Sequence, residues 1–309
     1  MKLNRRAMLA NALVSAAACV TLNLWSAHAF GQAPGGSGPG PAAQPARGAR
    51  LFTADPRAQV RTYHLDGANI DVPYCVFVSS KVSRSKPAPL IISLHGLGAG
   101  PQIMCNTTAI DLAEQGGYIL AAPMGYSISG WYGSPVIHMN ARRGPPGAAQ
   151  APAAGPGSGP TGPSDQDIQK WSEADVINVL AMMRKEFKVD PKRIYLTGHS
   201  MGGAGTLFLA SKHADIWAAA APVAPASFMM NANRADILKG IKDGGVPLLI
   251  VQGDADTVVA PSNTRLWAAT AKELGMDFQY VELPGIDHGP VITASQKDVY
   301  AFFGKHARQ

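Results

Sequence analysis

The chain has 309 residues, with 27 Lys and Arg against 21 Asp and Glu, a formal charge of +6, three cysteines, 33 glycines and 24 prolines. A hydrophobic content of 46% is enough for a core and excludes wholesale disorder. Three cysteines exclude a disulfide scaffold, and no apolar run reaches the ~18 residues that span a bilayer, so stable membrane insertion is not expected.

Residues 1–29 read as an export signal. Lys2, Arg5 and Arg6 supply a positive start, Ala10 to Trp25 is mostly apolar, and Ala27-His28-Ala29 offers small residues where a signal peptidase cuts. Arg5-Arg6 with Ala7, Met8 and Leu9 partly resembles a twin-arginine signal, although an aromatic is more usual at Met8. An ordinary secretory signal with adjacent arginines is the other reading, and both place the protein in the periplasm or outside the cell. Cys19 lacks the large aliphatic residue usual three positions before a lipidated Cys. Residues 30–50 form a Gly/Pro-rich linker that cannot offset its own ordering entropy. The catalytic domain is expected over 51–309, interrupted by a Gly/Pro-rich insertion at 144–163. Seven basic side chains lie in or beside these segments, which leaves 20 basic against 21 acidic groups elsewhere.

Within the domain, Gln59–Leu65 and Ile70–Ser79 read as an antiparallel pair turning near Asp66-Gly67. Short apolar runs follow at Pro89–Leu94, Tyr118–Ala122, Arg193–Thr197, Trp217–Ala221, Val246–Gln252 and Phe278–Leu283. Most lack polar alternation, as parallel strands buried on both faces do. Between them Val176, Val179, Leu180, Met183 and Phe187 keep helical spacing, with Ser172 and Asp175 resembling a capping box. Thr206–His213, Thr264–Leu274 and Ser295–His306 are further helix candidates. The pattern predicts an α/β fold with a mostly parallel, doubly wound sheet and helices on both faces. Ligand sites of such folds gather at the carboxyl ends of the strands. Cys75 and Cys105 could pair in an oxidising compartment or stay as two buried thiols.

The strand Arg193–Thr197 runs into Gly198-His199-Ser200-Met201-Gly202 and then a helix. This is G-x-S-x-G in a strand-turn-helix setting, where a sharp turn projects the serine above the sheet. A serine hydroxyl needs a base, and the base an orienting acid, in the chain order Ser, acid, His. The run Val246–Gln252 leads into Asp254 and Asp256, and Phe278–Leu283 leads into Asp287-His288. His288 is read as the base and Asp256 as the acid, with Asp254 and Asp287 as turn residues. The backbone N–H groups of Met201 and Leu97 are the expected oxyanion donors, Leu97 lying in the loop His95-Gly96-Leu97-Gly98-Ala99-Gly100 with His95 as a loop brace. No His/Cys/Asp cluster has metal-ligand spacing, so neither metal nor other cofactor is expected. Basic residues form no stripe, so nucleic acid is not an expected partner.

These residues resemble an α/β-hydrolase over roughly Arg57 to His306. The run from Ser172 to Gly203 is similar to secreted bacterial prolyl-oligopeptidase-like, dienelactone-hydrolase-like and polyhydroxybutyrate-depolymerase or feruloyl-esterase-like serine esterases. The resemblance implies a triad of Ser200, Asp256 and His288 with Leu97 and Met201 at the oxyanion hole. Ala122-Pro123-Met124-Gly125-Tyr126 and Gly130-Trp131-Tyr132 resemble the family's loop beside the site, with Trp131 or Tyr132 lining the substrate groove or packing inside. The implied activity is acyl-enzyme hydrolysis of carboxylic esters, small or polymeric. The other readings are a prolyl-oligopeptidase-like peptidase, a polyester depolymerase and a silent binding module. Oligomeric state, acyl preference and alcohol preference are not readable from these motifs.

Overall fold

The structure is a computed structural model, and it describes residues 53–138 and 162–308. The export signal, the linker and most of the Gly/Pro-rich insertion lie outside the described residues.

Eight strands form one sheet: β1 (Gln59–Leu65), β2 (Ile70–Val78), β3 (Ala88–Leu94), β4 (Ile119–Pro123), β5 (Val189–His199), β6 (Ala219–Val223), β7 (Leu248–Gly253) and β8 (Phe278–Leu283). Their order across the sheet is β1-β2-β4-β3-β5-β6-β7-β8. The β1–β2 and β2–β4 pairs are antiparallel, and all others are parallel. Every residue of β3, β4, β6 and β7 is buried. That double-sided burial explains their unbroken apolar runs.

Helices cover both faces: α1 (Thr107–Gly116), α2 (Asp165–Glu186), α3 (Met201–Lys212), α4 (Arg234–Asp243), α5 (Pro261–Glu273), α6 (Val291–Ala294) and α7 (Gln296–Phe303). Successive residues of β3 point to opposite sides. Leu90, Ile92 and Leu94 pack with Val179, Leu207, Leu238 and Trp267 of α2 to α5, whereas Ile91 packs with Ile110 of α1 and Phe303 of α7.

Several elements differ from the sequence reading. Helix α2 begins seven residues before Ser172, where Ser164 and Asp167 form the capping box. Ser172 and Asp175 are interior helix residues that turn inward. The Ser172 hydroxyl accepts the Gly133 N–H at 3.0 Å. The Asp175 carboxylate accepts the Tyr63 hydroxyl and the Gly125 N–H at 2.5 Å each. Burial raises the Asp175 pKa, opposed by these bonds. The sixth strand is Ala219–Val223 rather than Trp217–Ala221, because Trp217 enters the core and donates its indole N–H to Leu209 O at 3.0 Å. Helices α1, α4 and α6 have no counterpart in the sequence reading. Helix α1 starts where the Asn106 side chain accepts the Ala109 N–H and stops at Gly117 with φ of 73°.

Cys75 and Cys105 are both buried free thiols. A hydrogen bond from the Cys105 thiol to Cys75, and then burial, push the Cys105 pKa well above its ordinary value. Thiols held protonated in an apolar site are poor nucleophiles. Native protein lacking residues 1–29 is therefore expected to resist iodoacetamide and, unfolded without reductant, to take up two alkyl groups by mass spectrometry. Uptake of none after unfolding would establish a bridge instead.

Candidate active site

Ser200 sits between the last residue of β5 and the first of α3 with φ of 58° and ψ of −114°. A non-glycine residue there carries roughly 1–3 kcal/mol of strain. The turn is over-determined by its neighbours: the Ser200 N–H donates to Val223 O at 2.9 Å, and its carbonyl accepts from Ala204 and Ala226 at 3.0 Å each. The flanking glycines are required by close approach. A side-chain carbon at Gly198 would stand 2.7 Å from Leu94 Cβ and strike the Gly202 backbone, and one at Gly202 would stand 2.8 Å from His95 O. The end of β3 is thus pressed against the turn, and it also launches the loop carrying Leu97.

His288, in the loop after β8, places Nε2 2.9 Å from Ser200 Oγ. Its Nδ1 is 2.8 Å from Asp256 Oδ2. The Asp256 side chain, in the loop after β7, has no solvent exposure, whereas the His288 side chain keeps 14%. Burial of a carboxylate is expensive unless its lone pairs are filled, and here they are. Oδ1 accepts the N–H groups of Val258 and Val259 at 2.9 and 2.7 Å, and Oδ2 also accepts Gln252 Nε2 at 3.0 Å. Asp254 points elsewhere and accepts the Gly285 N–H at 2.6 Å. Asp287 accepts the N–H groups of Thr257 and His288 at 2.9 and 2.7 Å.

A methyl group at Gly96 would lie 3.4 Å from Ser200 Cβ and 3.1 Å from His199 Nδ1. The β3 loop therefore runs directly beside the serine. Neither the Leu97 nor the Met201 N–H donates to an acceptor among the described residues. His95 braces the loop: it is fully buried, and its ring nitrogens lie 2.8 Å from Gly96 O and Met124 O. Burial lowers its pKa, opposed by these two contacts.

Trp131 and Tyr132 do not line an open groove. They are 3% and 0% exposed and belong to the core. The Tyr132 hydroxyl accepts the His95 N–H at 3.0 Å. Both residues have positive φ, 61° and 52°, so the loop's strain is spent on seating two rings under the site. Among the described residues no group of three or more His, Cys, Asp or Glu side chains could hold a metal ion.

Sequence reasoning missed three positioning residues. Gln252 holds Asp256, as described. Asp175 ties α2 to the Met124–Tyr126 turn on which His95 rests. His199 is buried, and its Nε2 lies 2.9 Å from the His288 carbonyl oxygen. Burial first, and the neighbouring His288 second, push its pKa down to about 3. The neutral imidazole therefore donates its Nε2 proton and holds the loop of His288 by its backbone. A polar residue at a strand end is the sequence signal shared by Gln252 and His199, whereas Asp175 lies inside α2.

Solved structures share this arrangement of sheet and helices. A thermostable esterase superposes with a TM-score of 0.61 at 21% identity, covering 82% of this chain and 64% of that one. The chain has the α/β-hydrolase fold. A profile of the prolyl oligopeptidase family matches residues 164–239 of this chain, the stretch that contains the serine turn. Cutinase est1 of Thermobifida alba is 34% identical over 115 residues, 37% of this chain and 36% of the cutinase. Feruloyl esterase B of Piromyces equi is 30% identical over 188 residues, 58% of this chain and 28% of the esterase. The chain thus spans about a third of each of these two relatives.

Two outcomes follow from the geometry. Asp256→Ala should lower ester turnover by about 10³-fold or more, whereas Asp254→Ala, measured on the same ester, should lose far less. The second concerns His199. The unfolded chain takes up a proton on this ring below pH 6.5, while the fold refuses it down to about pH 3. Its contribution is therefore complete above pH 6.5 and lost as pH falls toward 3, with a slope of at most ~1.4 kcal/mol per pH unit. Urea unfolding of His199→Gln between about pH 4 and 6 should show an acid limb shallower by up to that slope.

Proposed function

We propose that this hydrolase cleaves carboxylic esters through an acyl-enzyme formed on Ser200. The observation that carries the reading is the continuous hydrogen-bonded chain from Ser200 Oγ through His288 to Asp256, starting at a strained turn. The similarity to a cutinase and a feruloyl esterase supports esters as the substrate class.

Ser200 Oγ attacks the ester carbonyl carbon while His288 Nε2 takes its proton. The buried Asp256 carboxylate fixes the Nδ1–H tautomer and stabilises the imidazolium. The carbonyl oxygen, now an anion, is received by the N–H groups of Met201 and Leu97, which are free to donate. Collapse expels the alcohol, protonated by His288. Water then attacks the acyl-enzyme with His288 again as base, releasing the acid and restoring the serine. No metal or organic cofactor enters these steps.

The prolyl oligopeptidase profile favours a second reading, a peptidase. It covers 164–239, the turn that esterases and peptidases of this fold share, and so bears on the nucleophile more than on the bond cleaved. Export follows from residues 1–29, with the periplasm or medium as the place of action, and the substrate is a small or polymeric ester.

Ser200→Ala is expected to lose p-nitrophenyl ester turnover by at least about 10³-fold and to lose labelling by a fluorophosphonate probe, with an unchanged circular dichroism spectrum. Retained turnover counts against the triad. Faster cleavage of peptide p-nitroanilides than of esters moves the assignment to the peptidase.

A further inference from the structure

Beside the serine turn lies a cavity of about 310 Å³ that the steps above do not use. Its walls include Leu97, Ile128, Val136, Ile137 and Ile168, all aliphatic. It is at the small end of the range for ligand pockets and holds the volume of about ten water molecules.

The cavity is continuous with the oxyanion loop. Gly96 abuts Ser200, and the next two residues, Leu97 and Gly98, already line the cavity. At about 3.8 Å per residue, the wall starts roughly 4–8 Å along the loop from Gly96. The Gly98 N–H donates to Ile128 O at 2.8 Å, so the loop and the opposite wall are joined. Ile128 remains 36% exposed, an apolar side chain left facing the opening.

Polar groups are confined to the exposed lining residues Ser129 and His138. His138 is already engaged, its Nε2 2.7 Å from Asp165 Oδ1. Among the described residues no Lys, Arg, Asp or Glu side chain lines the cavity, and no Phe, Tyr or Trp ring offers a face for stacking. A charged arm would lose its hydration without a partner, and a flat aryl arm would find only methyl groups.

We infer that the cavity bounded by Leu97, Ile128, Val136, Ile137 and Ile168 is a specificity pocket for an unbranched aliphatic arm of the ester substrate. The inference rests on Ser200 being the nucleophile. Each methylene that enters such walls is removed from water, and the binding gained can raise kcat/KM by up to about fourfold per methylene. The arm belongs to the acid or to the alcohol, and two substrate series tell these apart.

The test is kcat/KM of the full chain on p-nitrophenyl acetate, butyrate, hexanoate, octanoate and benzoate, and on ethyl, butyl and hexyl acetates. The expected result is a rise of at least tenfold from the shortest to the six-carbon arm in one series, with benzoate below hexanoate. A rise in the p-nitrophenyl series assigns the acyl arm, and one in the acetate series the alcohol arm. Ile168→Trp, which fills the cavity from the first turn of α2, should lower the long-to-short ratio at least tenfold. Ile237→Trp, in a separate surface cavity beside Phe208 and Met229, should keep the wild-type ratio. Should Ile168→Trp fail to fold, Ile168→Ala serves, with its optimum moved to longer arms. A flat profile in both series, benzoate above hexanoate, or equal ratios in wild type and the Ile168 variant would overturn the pocket. These outcomes require wild type to hydrolyse acetate and to label at Ser200; failure of both would overturn the serine-hydrolase reading itself.

Discussion

The turn from β5 into α3 can form only because two glycines let backbone touch backbone. Gly198 and Gly202 lie where any side chain would strike Leu94, His95 or each other. Their contact locks the serine into a conformation it would otherwise leave, and hydrogen bonds from three directions hold it there. The same contact draws the end of β3 alongside, so the nucleophile and the loop with the free Leu97 N–H are fixed by one packing event. The strain at Ser200 is small against what a buried parallel strand on each side contributes, and so it persists.

Around this turn the polar groups are arranged to satisfy each other before any substrate arrives. Asp256 is fully withdrawn from solvent yet has four hydrogen-bond donors around it, counting His288. On the opposite side Asp175 gathers Tyr63, Gly125 and Tyr126, and the adjoining Met124 carbonyl meets the His95 ring. Tyr132 closes this second network against the His95 backbone. Both networks sit at low local dielectric, where a complete set of bonds stiffens a site and a missing one is costly. Catalytic groups and substrate-facing loop are therefore held by separate buried carboxylates.

Much of this architecture was legible in the sequence because the physics involved is local. Strands buried on both faces must be unbroken apolar runs, and β1, β3, β7 and β8 stand within two residues of the expected limits. The Ser, Asp, His order could be read because each residue follows a strand end. What escaped was tertiary. Ser172 and Asp175 imitate a capping box in sequence, but their side chains turn inward to bond Gly133 and Gly125, and the helix starts earlier at Ser164. Trp131 and Tyr132 carry the aromatic character of a groove, and only three-dimensional packing places them beneath it. The role of His199 depends on a loop 89 residues away that meets it only in the fold, and that of Gln252 on a bend that brings Asp256, four residues on, back over its amide.

The loops after β7 and β8 are sewn to one another. Asp254 bonds Gly285, Asp287 bonds Thr257, and the Ala255 N–H donates to Ile286 O. Across to the serine turn, by contrast, the described residues make two hydrogen bonds, His288 to Ser200 and His199 to the His288 carbonyl. Acid and base therefore drift as a single raft, moored to the nucleophile at two points. With fewer bonds across it, the gap between serine and histidine is the weaker seam of the site, and the contact between histidine and aspartate the stronger one.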